Sequence, residues 1–179
     1  PDINMEVYGY VDHSNDDIAM KRINASLDEY NLRDAVKLHS YTNDVAGVQR
    51  NAQIYALASV MEGFNLALME AQAQGDVGIT FDTNYGPNEL IVDQSNGYVV
   101  DYDDTQALAD RMVQLFSDDE LLQKMSDKAY ELSQRFSEDS VWHDWQTLIH
   151  AAKQTWQDKL KTYHPDITQG LCDMEHKEA

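Results

Sequence analysis

Short apolar runs alternate with amphipathic stretches over the first hundred residues of the chain. Runs of strand length lie at 5–8, 36–38, 54–59, 77–81 and 98–100. Helical spacing of apolar residues predicts helices at 18–30 and 44–52, and a third that opens near 63–65. Strands that alternate with helices are typical of a parallel sheet covered on both faces, so we predict a Rossmann-like α/β fold. Such sheets bind ligands at the carboxyl ends of their strands.

Beyond residue 100 the pattern is helical. Asp104 is placed to cap one helix, and Ser117 with Glu120 forms a capping box for a second. Ser137 is placed to cap a third helix. We expect these C-terminal helices to end near 116, 134 and 162.

The last segment lacks any periodicity, so we predict one domain over 1–162 and an irregular tail over 163–179. Thirteen basic and 32 acidic residues give a formal net charge of −19, which argues against nucleic acid and anionic membranes as partners. Cys172 is the only cysteine and no apolar run is long enough to span a bilayer. We therefore expect no disulfide and no transmembrane segment, and a cytoplasmic location.

Candidate chemistry concentrates in the stretch from Ser59 to Gly75. Glu62 and Glu70 are eight positions apart, on either side of a Gly-Phe pair and a run of helix-forming residues. The free N–H groups of the first helical turn form an anion site, and the two carboxylates can hold hydroxyl groups on either side of a bound phosphate. That arrangement suits a sugar nucleotide. The alternative is an amphipathic helix with two solvated acids.

The full string resembles the E-x7-E signature of retaining glycosyltransferases of family 4, which have the GT-B fold. The resemblance continues through the segments 77–82, 84–91 and 93–99 and covers about residues 3 to 150. The string Asn-Tyr-Gly-Pro at 84–87 is similar to the branch that glucosylates poly(glycerol phosphate) teichoic acid or protein serine residues in Gram-positive bacteria. The resemblance implies the C-terminal, donor-binding half of such an enzyme.

The resemblance also implies roles for individual residues. Glu62 would approach the donor sugar and its leaving phosphate as the catalytic position, and Glu70 would bond the ribose hydroxyls. The loop and first turn between them would complete the donor site: Gly63, Phe64, Asn65 and Leu66.

A second candidate loop carries Tyr85, Gly86 and Glu89, which would contact the donor or the acceptor. The alternative is a turn that starts a short helix, with Glu89 as a first-turn acid favoured by the helix dipole.

The chain departs from the family pattern at three places. Asn65 stands where glycine is common, and we expect it to tolerate the left-handed backbone nearly as well. Asp76 stands where proline is common. The family's Arg and Lys pair, which neutralises the diphosphate, lies ahead of the strand at 5–8, and no Arg or Lys precedes Lys21 here. We therefore expect this fragment, which also lacks the N-terminal GT-B domain, to be inactive alone.

The implied reaction moves a hexose, first of all glucose from UDP-glucose, to a cell-wall polymer or protein acceptor, with no metal and no cofactor. Two alternatives remain: a non-catalytic acceptor-binding subunit of a glycosyltransferase complex, and a GT-B epimerase. Trp142, Trp145, Ile149 and Trp156 share one face of the last predicted helix, and that stripe would promote homo-oligomers if it were exposed.

Overall fold

The computed structural model describes residues 3–9, 18–83 and 85–163. The chain divides into two compact units, with the boundary between Ser133 and Gln134. The first unit holds every described strand and the candidate site, and the described part of the second consists of a short 3₁₀ turn and one long helix.

The described strands of the first unit all run parallel and form two sheets. β1 (Met5–Tyr8) pairs with β2 (Val36–His39). β4 (Val77–Phe81) lies between β3 (Ile54–Leu57) and β5 (Gly97–Val100). The predicted α/β class with parallel strands is confirmed, but the strands are divided between two sheets.

Helices connect the strands as the alternating pattern predicts. The connections are α1 (Ile18–Glu29), α2 (Val45–Arg50), α3 (Leu66–Gln74) and the single turn α4 (Pro87–Leu90). The later helices are α5 (Thr105–Phe116), α6 (Asp119–Ser133) and α7 (Glu138–Tyr163), with the 3₁₀ turn Gln134–Phe136 between the last two.

The core lies between the three-stranded sheet and helices α5 and α6. Its buried members are Val77, Ile79, Tyr98, Leu115, Leu122 and Met125. The opposite face of β4 carries Gly78, where an added Cβ would lie 2.8 Å from side-chain atoms of both Leu68 and Ile91. A glycine at this position therefore lets α3 approach the sheet closely, and this fixes the helix that carries the candidate site.

Three capping predictions can be compared with the structure, and Asp104 caps α5 as expected. Ser137 accepts a hydrogen bond from the Ser140 N–H at 3.3 Å, as expected for the cap of α7. The prediction that Ser117 caps α6 is wrong, because Asp118 accepts the bond from the Leu121 N–H at 2.9 Å. Aspartate and serine are almost equally good N-caps. Where the two are adjacent in the sequence, tertiary packing therefore determines which of them caps the helix. The predicted irregular tail falls outside the described residues beyond Tyr163.

Candidate functional site

The candidate site begins where β3 ends. The loop 58–65 leaves the carboxyl end of this strand, which is the edge at which parallel sheets bind ligands, and leads directly into α3. Glu62 lies in this loop and is half-buried, whereas Glu70 is exposed on the second turn of the helix.

Asn65 starts α3 as its N-cap. Its side chain accepts a hydrogen bond from the Leu68 N–H at 2.7 Å, and its backbone has φ −79° and ψ 95°. The tolerance of asparagine for a left-handed backbone is not needed here, since the Asn65 backbone is extended. Asparagine is favoured here because a short side-chain acceptor satisfies one free N–H of the first turn.

The cap leaves other N–H groups of the helix start available. Within the described part of the chain, the N–H groups of Leu66 and Ala67 have no hydrogen-bond partner. Gly63 lies in the preceding loop, and an added Cβ there would meet no atom within 4 Å. This start of a helix therefore offers donors and the positive end of a helix dipole to an anion.

The two glutamates are not used by the fold. Neither the Glu62 nor the Glu70 carboxylate makes a hydrogen bond or an ion pair with any residue that the structure describes. Asp44 and Asp104, in contrast, cap α2 and α5. A structural role accounts for those two aspartates but not for the glutamates, which remain able to accept bonds from a ligand.

Tyr55 is a site residue that the sequence analysis missed. Burial first, and then the negative charges of Glu62 and Glu70, raise the pKa of its hydroxyl. The Tyr55 hydroxyl therefore lies within electrostatic range of both glutamates. Nothing in the apolar run 54–59 indicated that its tyrosine would lie beside them.

The second candidate loop lies against the first. Gly86 has φ +77°, and an added Cβ would lie 1.6 Å from the Gly63 carbonyl oxygen and 3.7 Å from the Glu62 Cβ. The two loops that the sequence analysis singled out therefore form one surface. Glycine is required at 86 both by the left-handed backbone and by this close approach.

Local hydrogen bonds hold the second loop in place. The Thr83 hydroxyl donates to the Tyr85 carbonyl oxygen at 3.2 Å, and the Glu89 N–H donates to the Gly86 carbonyl oxygen at 2.9 Å. The Asn88 side chain donates to Asp82 at 2.7 Å. Tyr85 is 72% exposed and Glu89 is also exposed, so both side chains remain accessible on a fixed backbone.

A buried acid lies at the other end of α3. Gly75 ends the helix with φ 96°, and Asp76 follows it with only 1% of its surface exposed. The Asp76 Oδ2 and the nearby Gln72 Nε2 are buried without a hydrogen-bond partner among the described residues. Burial raises the pKa of Asp76 to about 7. The Asp76 carboxyl is therefore protonated more readily than that of an exposed aspartate.

A separate aromatic pair lies at the ends of β1 and β2. The Tyr8 and His39 rings stack with their centroids 4.5 Å apart, and the Tyr8 hydroxyl donates to Glu6 at 2.8 Å. That hydrogen bond, with smaller contributions from burial and the Glu6 charge, raises the pKa of Tyr8. His39 thus packs against its strand neighbour.

The described residues hold neither a metal-binding cluster nor a helix that could span a membrane. No group of three or more His, Cys, Asp or Glu side chains in that part of the chain is arranged to hold a metal ion. No described helix is both long and apolar enough to cross a membrane.

Several curated relatives with sequence similarity are bacterial glycosyltransferases. The chain is 27% identical over 145 residues to the poly(glycerol-phosphate) alpha-glucosyltransferase of Bacillus subtilis, a match that covers 81% of this chain and 21% of that protein. It is 36% identical over 114 residues to the GtfA subunit of a UDP-N-acetylglucosamine–peptide N-acetylglucosaminyltransferase from Limosilactobacillus reuteri, covering 60% of this chain and 22% of that one. The chain thus spans about a fifth of the length of these relatives.

Solved structures agree with this result. Staphylococcus aureus TarM, determined as a mutant in complex with fondaparinux, alpha-GlcNAc-glycerol and UDP, has a TM-score of 0.69 and 26% identity over 81% of this chain and 28% of that one. A GtfA/B complex has a TM-score of 0.71 and 26% identity over 84% of this chain and 30% of that one. The profile of the family described as Glycosyl transferases group 1 matches residues 1–132. The chain therefore belongs to the group 1 glycosyltransferase family, and its GT-B-type α/β unit corresponds to the C-terminal part of those enzymes.

Proposed function

We propose that this chain is the donor-binding part of a retaining glycosyltransferase that transfers a hexose from a uridine diphosphate sugar. The observation that carries the proposal is the start of α3, where free N–H groups lie between two carboxylates that the fold does not use. Glucose is the proposed hexose, and a teichoic acid or a protein is the proposed acceptor. The names of the relatives from Bacillus subtilis and Limosilactobacillus reuteri support these acceptor classes.

The diphosphate occupies the start of α3 in this proposal. The N–H groups of Gly63, Leu66 and Ala67 donate to phosphate oxygens, and the open space beside Gly63 admits them. Glu70, one turn further along, accepts hydrogen bonds from the ribose hydroxyls. Tyr55, whose hydroxyl lies within electrostatic range of both glutamates, contacts the bound nucleotide in this proposal.

Glu62 lies on the sugar side of the diphosphate. It orients the hexose and does not attack it, because the leaving phosphate itself takes the proton of the acceptor hydroxyl on the same face of the sugar. The reaction then needs no enzyme nucleophile, no metal and no cofactor. Tyr85 and Glu89 extend from the adjoining loop, where the hexose or the acceptor is bound.

Charge limits what the 179 residues do alone. No Lys or Arg within the described residues is paired with either glutamate, so backbone dipoles alone face a diphosphate on a chain of net charge −19. Loss of one donor to developing charge reduces a rate by ~10²–10³. We therefore expect no detectable transfer from UDP-glucose by the isolated chain, in the cytoplasmic setting that a single cysteine favours.

Calorimetric titration with UDP tests the donor site. We expect weak binding to the parent chain that Glu70→Ala abolishes. Glu29→Ala is the matched control, because this exposed glutamate ends α1 and belongs to neither candidate loop. Equal UDP affinity in all three proteins would contradict the proposal.

The similarity to a GtfA/B complex suggests a second candidate function. In this alternative, the chain is part of a non-catalytic subunit that binds the acceptor. Two unpaired glutamates argue against it, because a subunit without a donor has no use for them. UDP binding that depends on Glu70 favours the enzyme, and a folded chain that binds acceptor polymer but no UDP favours the subunit.

A further inference from the structure

The short helix α2 buries a polar side chain in its last turn. Gln49 is 6% exposed, whereas Val45 at the start of the same helix is 40% exposed. A helix that packs against its neighbours normally buries apolar residues and leaves polar ones in solvent. The position of Gln49 reverses this pattern, and such reversals are expected at functional or strained sites.

The Gln49 amide joins α2 to the first turn of α3. Its Nε2 donates to the Ala67 carbonyl oxygen at 3.0 Å, across 18 positions of sequence. Two neighbouring side-chain bonds are local, since Asp44 accepts from the Gly47 N–H and Asn51 donates to the Gly47 carbonyl oxygen. The bond from Gln49 instead fixes one element relative to another.

The other half of the Gln49 amide has no partner. Its Oε1 is buried and accepts no hydrogen bond from any residue that the structure describes. Rotation of the amide by half a turn would bring Oε1 against the Ala67 carbonyl oxygen, and two acceptors repel each other. A buried acceptor without a donor destabilises the fold. An apolar side chain of similar size would avoid this loss, so stability alone does not explain a glutamine at this position.

The bond from Gln49 ends on a residue of the proposed donor site. The Ala67 carbonyl oxygen accepts from Gln49, while the N–H of the same residue has no partner among the described residues. That N–H is among those that donate to the diphosphate in the proposed function. The backbone of Ala67 is therefore held through its carbonyl while its N–H stays available.

The segment that leads into this turn gives it little support. Val60 and Met61 are 73% and 83% exposed in the preceding loop, and Leu66 at the start of α3 is 61% exposed. The cap from Asn65 acts within the turn and does not fix its position relative to other elements. Donor groups bind a ligand well when surrounding residues hold their geometry, and the bond from α2 supplies such a constraint.

We propose that Gln49 is a positioning residue of the donor site. Its amide fixes the first turn of α3 in the orientation in which the Ala67 N–H meets a phosphate oxygen of the bound nucleoside diphosphate, although this leaves Oε1 unpaired. Gln49 acts through Ala67 and does not contact the ligand. This inference rests on the proposed donor function and adds to it a residue outside the two candidate loops.

Gln49→Met tests the proposal, because methionine fills similar space without a strong donor or acceptor. Asn51→Ala is the matched control, since it removes a local side-chain bond at the end of α2 and leaves the bond to α3 in place. We expect the urea midpoint of Gln49→Met to equal or exceed that of the parent. The loss of one hydrogen bond is offset by removal of the unpaired buried oxygen.

Titration of the ¹⁵N-labelled chains with UDP measures the effect on the donor site. We expect Gln49→Met to bind UDP at least about fivefold more weakly than the parent, which is the equivalent of one hydrogen bond. The UDP-induced shift of the Ala67 amide should decrease more than that of Gly63, which lies outside α3. Asn51→Ala should keep the affinity and the shifts of the parent.

Three results would overturn this inference alone. Parent-like UDP affinity in Gln49→Met would show that the turn does not depend on the amide. A lowered midpoint or an unfolded Gln49→Met would show that the amide serves the stability of the fold. An equal loss of affinity in Asn51→Ala would show a general effect of α2. Absence of UDP binding by the parent would refute the proposed function, and this inference with it.

Discussion

Among single residues, Gly63 and Gly86 are in contact with each other. A side chain added at one of these positions would nevertheless have different surroundings from a side chain added at the other. Gly86 has a left-handed backbone and would place a Cβ 1.6 Å from the Gly63 carbonyl oxygen, whereas Gly63 faces open space and has no positive φ. The fold thus explains glycine at 86 but not at 63. A ligand that approaches the backbone at Gly63, as in the proposed donor site, would account for that glycine.

Gly86→Ala should destabilise the first unit by at least about 2 kcal/mol, because the backbone conformation is strained for alanine and the Gly63 carbonyl must move. Urea denaturation measures the loss. An unchanged midpoint would mean that the two loops are not in contact in solution.

Gly63→Ala should leave that stability within about 0.5 kcal/mol of the parent, because the new methyl group meets no atom of the protein. It should nevertheless weaken UDP binding several-fold, since the methyl group occupies space needed by the diphosphate. Calorimetry on this variant separates the two effects, and unaltered UDP affinity would remove Gly63 from the donor site.

At the scale of elements, α3 depends on its cap. Asn65→Ala should destabilise the first unit by about 1–2 kcal/mol, because the Leu68 N–H loses its acceptor. Asn65→Asp is the matched control and should keep the stability, since aspartate caps equally well, while its added charge repels a phosphate. If Asn65→Asp keeps its stability but binds UDP more weakly, the anion lies at this turn. Retained UDP affinity would contradict that location.

The sequence predicted individual elements better than their partners. The strand Val77–Phe81 was predicted with its observed bounds, because a largely apolar run lies between Asp76 and Asp82. The division into two sheets was not predicted, since pairing between strands distant in sequence leaves no local pattern. The contact of Gly86 with Gly63 and the position of Tyr55 beside the glutamates depend on tertiary packing in the same way. The sequence motif indicated which residues belong to the candidate site, but tertiary packing determines which of them are in contact.

At the scale of the whole molecule, the buried acid Asp76 should make stability depend on pH. Its pKa is about 7 in the folded state against 3.8 as the reference value, so the folded chain binds more protons between these values. The contribution to the free energy of unfolding is therefore greatest at low pH and is lost as the pH rises toward and through 7.

Asp76→Asn isolates this contribution from all other titrating groups. Relative to the parent, the variant should gain about 2–3 kcal/mol between about pH 5 and pH 8, since it keeps the shape of the neutral acid and cannot ionise. Urea denaturation across that range provides the comparison. A stability difference that stays constant with pH would show that Asp76 is ionised throughout.

In the proposed donor site, a nucleoside diphosphate binds at the start of α3 between Glu62 and Glu70. The most direct measurement is a ¹H–¹⁵N correlation spectrum of the labelled chain titrated with UDP. We predict that the largest shifts fall on the amides of Gly63, Leu66 and Ala67 and that they vanish in Glu70→Ala. Shifts concentrated on another part of the first unit, such as β1 and β2, or shifts that persist in Glu70→Ala, would contradict the account.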